Sequence, residues 1–278
     1  MKTTGMSLNI VSDGTLLMDG GCVFGPVPKV QWETYLKPDR RNRVRLSLNC
    51  LLIRTANRNI LIDTGAGSKR IDTLKERFGL NGNKLLRGLK AQGLTARDID
   101  TVVLTNLRFD RVGGCTKVDR SGKVLPTFPK ATHLVQAAAL AEARDPRERS
   151  APFLNANDFL PLDDMEMVES IVGDKEIAPG VRVKATGGPM LGHQVVLIES
   201  GSERIAFAGD LIPTPFHLPP AYIGAFDDSP NDTIRGKKEL LSMATDKGWM
   251  IVFGQSQDQQ AGYVEHRSGR YGLRQVEL

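Results

Sequence analysis

Four apolar runs in this chain each stop at a short polar loop, and that recurrence constrains the fold more than any other feature. NILID at 59–63 ends in Asp63-Thr64-Gly65. VVLT at 102–105 opens into Asn106, Arg108, Asp110 and Arg111 before the pair Gly113-Gly114. IAFA at 205–208 ends in Gly209-Asp210, and WMIVF at 249–253 ends in Gly254-Gln255-Ser256. Short continuous apolar runs bounded by glycine and polar residues read as strands covered on both faces. Binding and catalytic groups gather at such strand ends, where the strand holds the backbone and the loop frees the side chains. One Asp after a strand commonly does no more than cap a turn. Three of them, Asp63, Asp110 and Asp210, at comparable strand ends point to a shared cleft.

The remaining pattern predicts strands over 44–55 and 59–63, a helix over 84–92, and an N-cap pair at Thr95 and Asp98. Strands follow at 101–105 and 131–136, a helix at 136–143, and a short helix and loop at 150–160. Four strands succeed one another at Val168–Val172, Val181–Ala185, Gln194–Glu199 and Arg204–Ala208. After a proline-rich loop at 213–220 comes an amphipathic helix at 231–247. Residues 17–38 are rich in Gly and Pro, with Phe24 and Trp32 as anchors, and predict an ordered arm without regular structure. Strand runs in each half with helices between and after them give an α+β class. The architecture expected is two packed sheets with helices outside, an αββα four-layer sandwich. At 278 residues, 40% of them hydrophobic, the chain can build this as one domain over 1–278.

Several function classes are excluded on composition. The net charge of +5 comes from 37 Lys and Arg against 32 Asp and Glu and is spread along the chain. Its densest run, Lys37 to Arg43, contains Asp39 and reads as a solvated loop, so no nucleic-acid partner is expected. Cys22, Cys50 and Cys115 are odd in number and form no CxxC, which argues for a reducing compartment and against a disulfide framework or thiolate metal site. The first residues, MKTTGMSLNIVSDGT, have no apolar signal-peptide core, and no apolar run approaches the roughly 20 residues of a membrane span. A soluble cytoplasmic protein without membrane contact is expected.

Several segments together carry a family resemblance: MDGGCVFGPVPKVQW near the start, LIDTG, VVLTNLRFDRVGGCTK, TGGPMLGHQVVLIES, FAGDLIPTPFHLPPAYIGAFDD, and the helix before WMIVFGQ. In order and spacing they resemble the metallo-β-lactamase superfamily, and within it the N-acyl-homoserine-lactone lactonase-like branch. The resemblance implies the four-layer sandwich, and an N-terminal arm at about 17–38 that helps form a homodimer. It also implies a site in which an HxHxDH motif, a further His in TGGHxxGH, the Asp of a GD dipeptide and a final His hold two metal ions. Those ions would hold a hydroxide and polarise a lactone or ester carbonyl.

This chain departs from that pattern at the metal-binding histidines. Asn106, Arg108 and Arg111 stand in the first motif, Pro189 in the third segment and Gln255 after the last strand. Asp110 and Asp210 are kept. His193, the last residue of that third segment, is kept too and is expected behind the site or on its substrate side. His133, His193, His217 and His266 are the only histidines, and none falls on a metal-binding position. Arginine is a poor ligand because its guanidinium has five donors, no free lone pair and a permanent charge. Proline offers no side-chain ligand atom, and the amide oxygens of Asn106 and Gln255 are weak donors for transition metals. No metal and no other cofactor is therefore expected. Instead Arg108 and Arg111 would neutralise Asp110 and Asp210, which would repel by roughly 4 kcal/mol at 4 Å and an effective dielectric of 20.

The expected function is that of a divergent, metal-free pseudoenzyme or ligand-binding protein. Its Arg/Asp-lined cleft would hold a small molecule, in particular an anionic one. Asn106, Arg108, Arg111, Gln255, Tyr222 and Phe226 are the expected ligand-binding residues. The alternative is a metal-independent hydrolase or lyase acting on a lactone, ester or other small anionic substrate. Asp110 or Asp210 would then be general base, Arg108 or Arg111 the oxyanion stabiliser, and His193 a proton shuttle. Cys115 reads as a small packed residue ahead of a nucleophile.

Overall fold

The computed structural model describes residues 1–3 and 5–278. Two seven-stranded sheets are formed, and in each the spatial order of the strands is their chain order. The first sheet runs Lys2–Thr3, Met6–Asp19, Arg43–Arg54, Asn59–Ile62, Thr101–Val103, Thr132–Gln136, Val168–Ile171. The second runs Lys175–Ala178, Val181–Ala185, Gln194–Ser200, Glu203–Phe207, Met250–Val252, Ala261–Arg267, Arg270–Gln275. Thr116–Val118 and Val124–Pro126 pair as a separate hairpin. Pairing is parallel from Asn59–Ile62 through Val168–Ile171, and between Glu203–Phe207 and Met250–Val252.

Strand alternation creates the layers. Leu51 and Ile53 face the other sheet and meet Val196, Ile198, Ile205 and Phe207 in an inter-sheet core. Their neighbours Cys50 and Leu52 face outward and pack with Leu85, Leu89 and Leu140, which lie on the helices Leu85–Ala91 and Ala137–Arg144. On the far side Val195, Leu197 and Ile251 face Leu240, Leu241 and Ala244 of the helix Pro230–Lys247. The result is the expected helix–sheet–sheet–helix order. Among the described residues no helix is long and apolar enough to cross a membrane.

The arm differs from the expectation. Residues 17–19 finish the long strand Met6–Asp19, and the helical turns Gly20–Phe24 and Lys29–Trp32 follow. Asp19 starts the first turn by accepting a hydrogen bond from the Cys22 N–H at 3.0 Å. Trp32 stacks on Phe24, and Phe24 on His217. The glycine density masked the strand because Gly14 sits at an irregularity in the register between Ser12 and Thr15. The helix Ile71–Phe78 and the C-terminal hairpin Ala261–Arg267/Arg270–Gln275 were also absent from the sequence expectation.

Candidate functional site

Parallel pairing brings the polar loops together. Ile62 pairs with Val103 in the first sheet, so Asp63 and the 104–111 loop leave the same edge. Phe207 pairs with Val252 in the second, so Gly209-Asp210 and Gly254-Gln255 leave side by side. Backbone bonds then join the two edges. The N–H of Gln194 donates to Thr105 O at 2.9 Å, that of Asn49 to Gly254 O at 2.9 Å, and that of Ser47 to Gln255 O at 3.0 Å. The Gly113-Gly114 pair has a packing role. A Cβ on Gly113 would lie 2.3 Å from Ala66 O, and one on Gly114 would lie 2.2 Å from Thr64 O.

Arg111 stands at the centre, on the short helix Phe109–Val112, with 1% of its side chain exposed. Its Nε donates to Asp210 Oδ1 at 3.2 Å and its Nη2 bonds the same oxygen. Its guanidinium also lies 3.7 Å from Asp110 and 3.8 Å from Asp63. Asn106 Nδ2 donates to Asp210 Oδ2 at 2.9 Å, and Gln255 Nε2 to Oδ1 at 3.3 Å. Burial alone would raise the Asp210 carboxyl, but Arg111, followed by Arg108, holds it well below the usual carboxylate range. Burial likewise opposes the charge on Arg111, and the carboxylates of Asp210, Asp110 and Asp63 overcome it.

Asp63 has a left-handed backbone, φ 58°, at its strand end. The Thr105 N–H and hydroxyl donate to its carboxyl at 2.8–3.0 Å. Burial raises this carboxyl to about 7 despite Arg111. Asp110 is fully buried, 3.4 Å from Arg108, and neither of its oxygens accepts a hydrogen bond.

His193 has a structural place that differs from the shuttle expected of it. Its Nε2 accepts the Asp210 N–H at 3.0 Å, which puts the ring proton on Nδ1, 2.7 Å from Thr186 Oγ1. Burial lowers its pKa to about 4. With both nitrogens engaged and no exposure, His193 fixes the Asp210 backbone and has no free site for a travelling proton.

A cavity of about 40 Å³ opens beside this centre, lined among others by Cys22, Arg108, Asp210, Phe226, Asp227 and Gln255. Four of the expected residues thus reach it: Arg108, Asp210, Phe226 and Gln255. Asn106, Asp110, Arg111 and His193 lie behind it as buried support. Tyr222 is elsewhere, its hydroxyl 3.5 Å from Gln31 of the arm. Cys115 is fully buried beside Thr64, and burial pushes its thiol up to about 12, so it is no nucleophile. Asp227 and Cys22 were not singled out as site residues from sequence. The only signal for Asp227 was its place in the acidic pair Asp227-Asp228 after Phe226.

The donor set here does not suit a two-metal centre. A permanent cation without a lone pair occupies the space between the carboxylates, and Asp210 has its oxygens engaged by Arg111, Asn106 and Gln255. Among the described residues no group of three or more His, Cys, Asp or Glu side chains is arranged to hold an ion.

The family model described as the metallo-beta-lactamase superfamily matches residues 43–255. Among solved structures, a probable metal-dependent hydrolase from Staphylococcus aureus superposes over 100% of both chains, with a TM-score of 0.89 and 28% identity. AidC, a dizinc quorum-quenching lactonase solved with the product N-hexnoyl-L-homoserine, gives 0.83 at 20% identity, over 100% of this chain and 97% of its own. The hydrolase AbOPH gives 0.82 at 21% identity, over 100% and 99%. These structural neighbours share the two-sheet scaffold whose strand ends carry the site described above. By the extent of the family match, over residues 43–255, this chain belongs to the metallo-β-lactamase superfamily.

Proposed function

We propose that this member works without metal ions and that its cleft binds a small molecule in place of metal-dependent hydrolysis. The observation that carries the reading is the fully buried Arg111 guanidinium between Asp210, Asp110 and Asp63. A guanidinium supplies positive charge to these carboxylates but cannot activate water or accept a carbonyl oxygen as a ligand. Asn106 and Gln255 complete the set by donating amide hydrogens to Asp210, a geometry opposite to metal ligation.

The alternative, a metal-independent hydrolase or lyase, has less behind it. Asp210 is held too acidic to be an efficient base near neutral pH, and the lone pair of His193 Nε2 is occupied.

The test is elemental analysis by ICP-MS of untagged protein after growth with Zn, Mn and Fe supplied, alongside lactone and ester hydrolysis assays. Substoichiometric metal in folded protein is the expected result. One or two ions per chain, with hydrolysis abolished by chelation, overturns the reading.

A further inference from the structure

The cavity beside Arg111 has two charged walls that do not satisfy each other. Arg108 is 8% exposed, and its guanidinium lies 4.9 Å from the Phe153 ring centroid and 5.5 Å from that of Phe226. The two rings meet each other edge to face, 4.7 Å between centroids, and together pack against the guanidinium and hold it in place. Its Nε lies 3.4 Å from Asp110 without a hydrogen bond, and its terminal nitrogens donate to no protein group among the described residues. Asp227 is 7% exposed and lines the same cavity; its carboxyl is faced by the Thr233 side chain and the buried Lys237, while its Oδ2, itself buried, accepts no hydrogen bond. The two form no ion pair with each other. The third charged group on the wall, Asp210, is already bonded to Arg111, Asn106 and Gln255. An unfilled donor fork and a carboxylate with one unpartnered oxygen therefore share one small space.

We propose that this cavity is the subsite of a small α-amino acid, with the carboxylate on the Arg108 fork and the ammonium on Asp227. The proposal rests on the metal-free reading of the site. A planar carboxylate matches the guanidinium fork, and an ammonium adds a charged donor to the Asp227 carboxylate, whose Oδ2 has none. Neither half alone neutralises both walls. A free anion would meet Asp227 and Asp210, and a free cation would meet Arg108. At about 40 Å³ the cavity has room for roughly three ordered waters at ~10–15 Å³ each, which restricts it to the smallest amino acids, glycine first.

Cys22 supplies the assay. It lines the cavity and is partly exposed, whereas Cys50 and Cys115 are buried. The rate of Cys22 alkylation by iodoacetamide is read by mass spectrometry with glycine, acetate or methylamine at equal millimolar concentration. Glycine is expected to slow labelling several-fold and to raise the melting temperature, while acetate and methylamine do neither. Arg108→Gln and Asp227→Asn should each abolish the glycine effect. Arg108→Lys, which keeps the charge and loses the fork, covers the case in which Arg108→Gln does not fold. No protection by glycine overturns the proposal, as does equal protection by acetate or methylamine, or protection that survives both substitutions. The metal analysis on the same preparation separates the two failures. Metal-free protein that ignores glycine defeats the subsite alone, whereas stoichiometric metal defeats the reading beneath it.

Discussion

Replacing Arg111 by methionine tests whether the centre is held by a guanidinium. Methionine keeps much of the volume and removes the charge. The Arg111–Asp210 contact at 3.2 Å corresponds to a gross attraction of about 5 kcal/mol at an effective dielectric of 20. The Asp110 contact at 3.7 Å adds about 4 kcal/mol on the same scale. Desolvation of the ions offsets much of both terms in the wild type. Removing one partner leaves the other charges buried without compensation, and the net loss expected is about 3–5 kcal/mol at neutral pH. At an m-value of about 3 kcal/mol/M this lowers the urea midpoint by roughly 1–1.7 M. The loss should depend on pH with a definite sign. In the wild type Asp210 is held low, so its stabilising contribution is present at neutral pH and is lost only as pH falls below about 4. In Arg111→Met the buried carboxyl titrates upward, so the folded variant takes up a proton that the unfolded chain does not. The variant therefore regains stability as pH drops from 7 toward 5, and the gap to wild type narrows. Adding Asp210→Asn should recover about 2 kcal/mol at pH 7 by removing the orphaned charge. Urea unfolding followed by tryptophan fluorescence at pH 7 and 5 measures all three proteins. A single-variant loss below about 1 kcal/mol, or an equal loss at both pH values with no recovery in the double variant, would refute the argument.

Two further outcomes follow from the same geometry. Asp63, with its carboxyl raised to about 7, keeps a proton in the folded state that the unfolded chain releases near pH 4. Stability is therefore lost as pH rises from about 4 to about 7, by at most about 4 kcal/mol, and Asp63→Asn should flatten that decline. Melting curves against pH check it, and parallel profiles for the two proteins would count against it. Gly114→Ala should cost more than about 2 kcal/mol, because its Cβ would lie 2.2 Å from the backbone oxygen of Thr64. Gly93→Ala, at φ 74° with nothing within 4 Å, should cost only about 1 kcal/mol. Chemical denaturation compares them, and equal losses would remove the close-approach explanation for the glycine pair.

The architecture was legible because it depends on short-range patterns. Apolar runs such as Val102–Leu104 and Ile205–Ala208 must be buried on both faces, and two sets of them require two sheets with helices outside. The identities of Arg108 and Arg111 also spoke directly, since a side chain without a free lone pair is a poor metal ligand wherever the fold puts it. Two elements were lost for local reasons. The strand Met6–Asp19 carries a register irregularity around Gly14, and the Ala261–Gln275 hairpin alternates apolar residues with exposed charges, which weakens its signal.

The sequence by itself determined the residue set at the strand ends, because type and order along the chain are enough to list what a shared edge must contain. Only the tertiary structure decided which of those residues do what. It separated Arg111, enclosed by three carboxylates, from Arg108, which keeps unfilled donors on a cavity wall. It turned His193 from a candidate proton carrier into the anchor of the Asp210 backbone. It also brought Asp227 and Cys22, 205 residues apart in the chain, to one wall of the same cavity. Hydrogen-bond satisfaction and burial are properties of three-dimensional neighbourhoods, and spacing along a chain does not carry them.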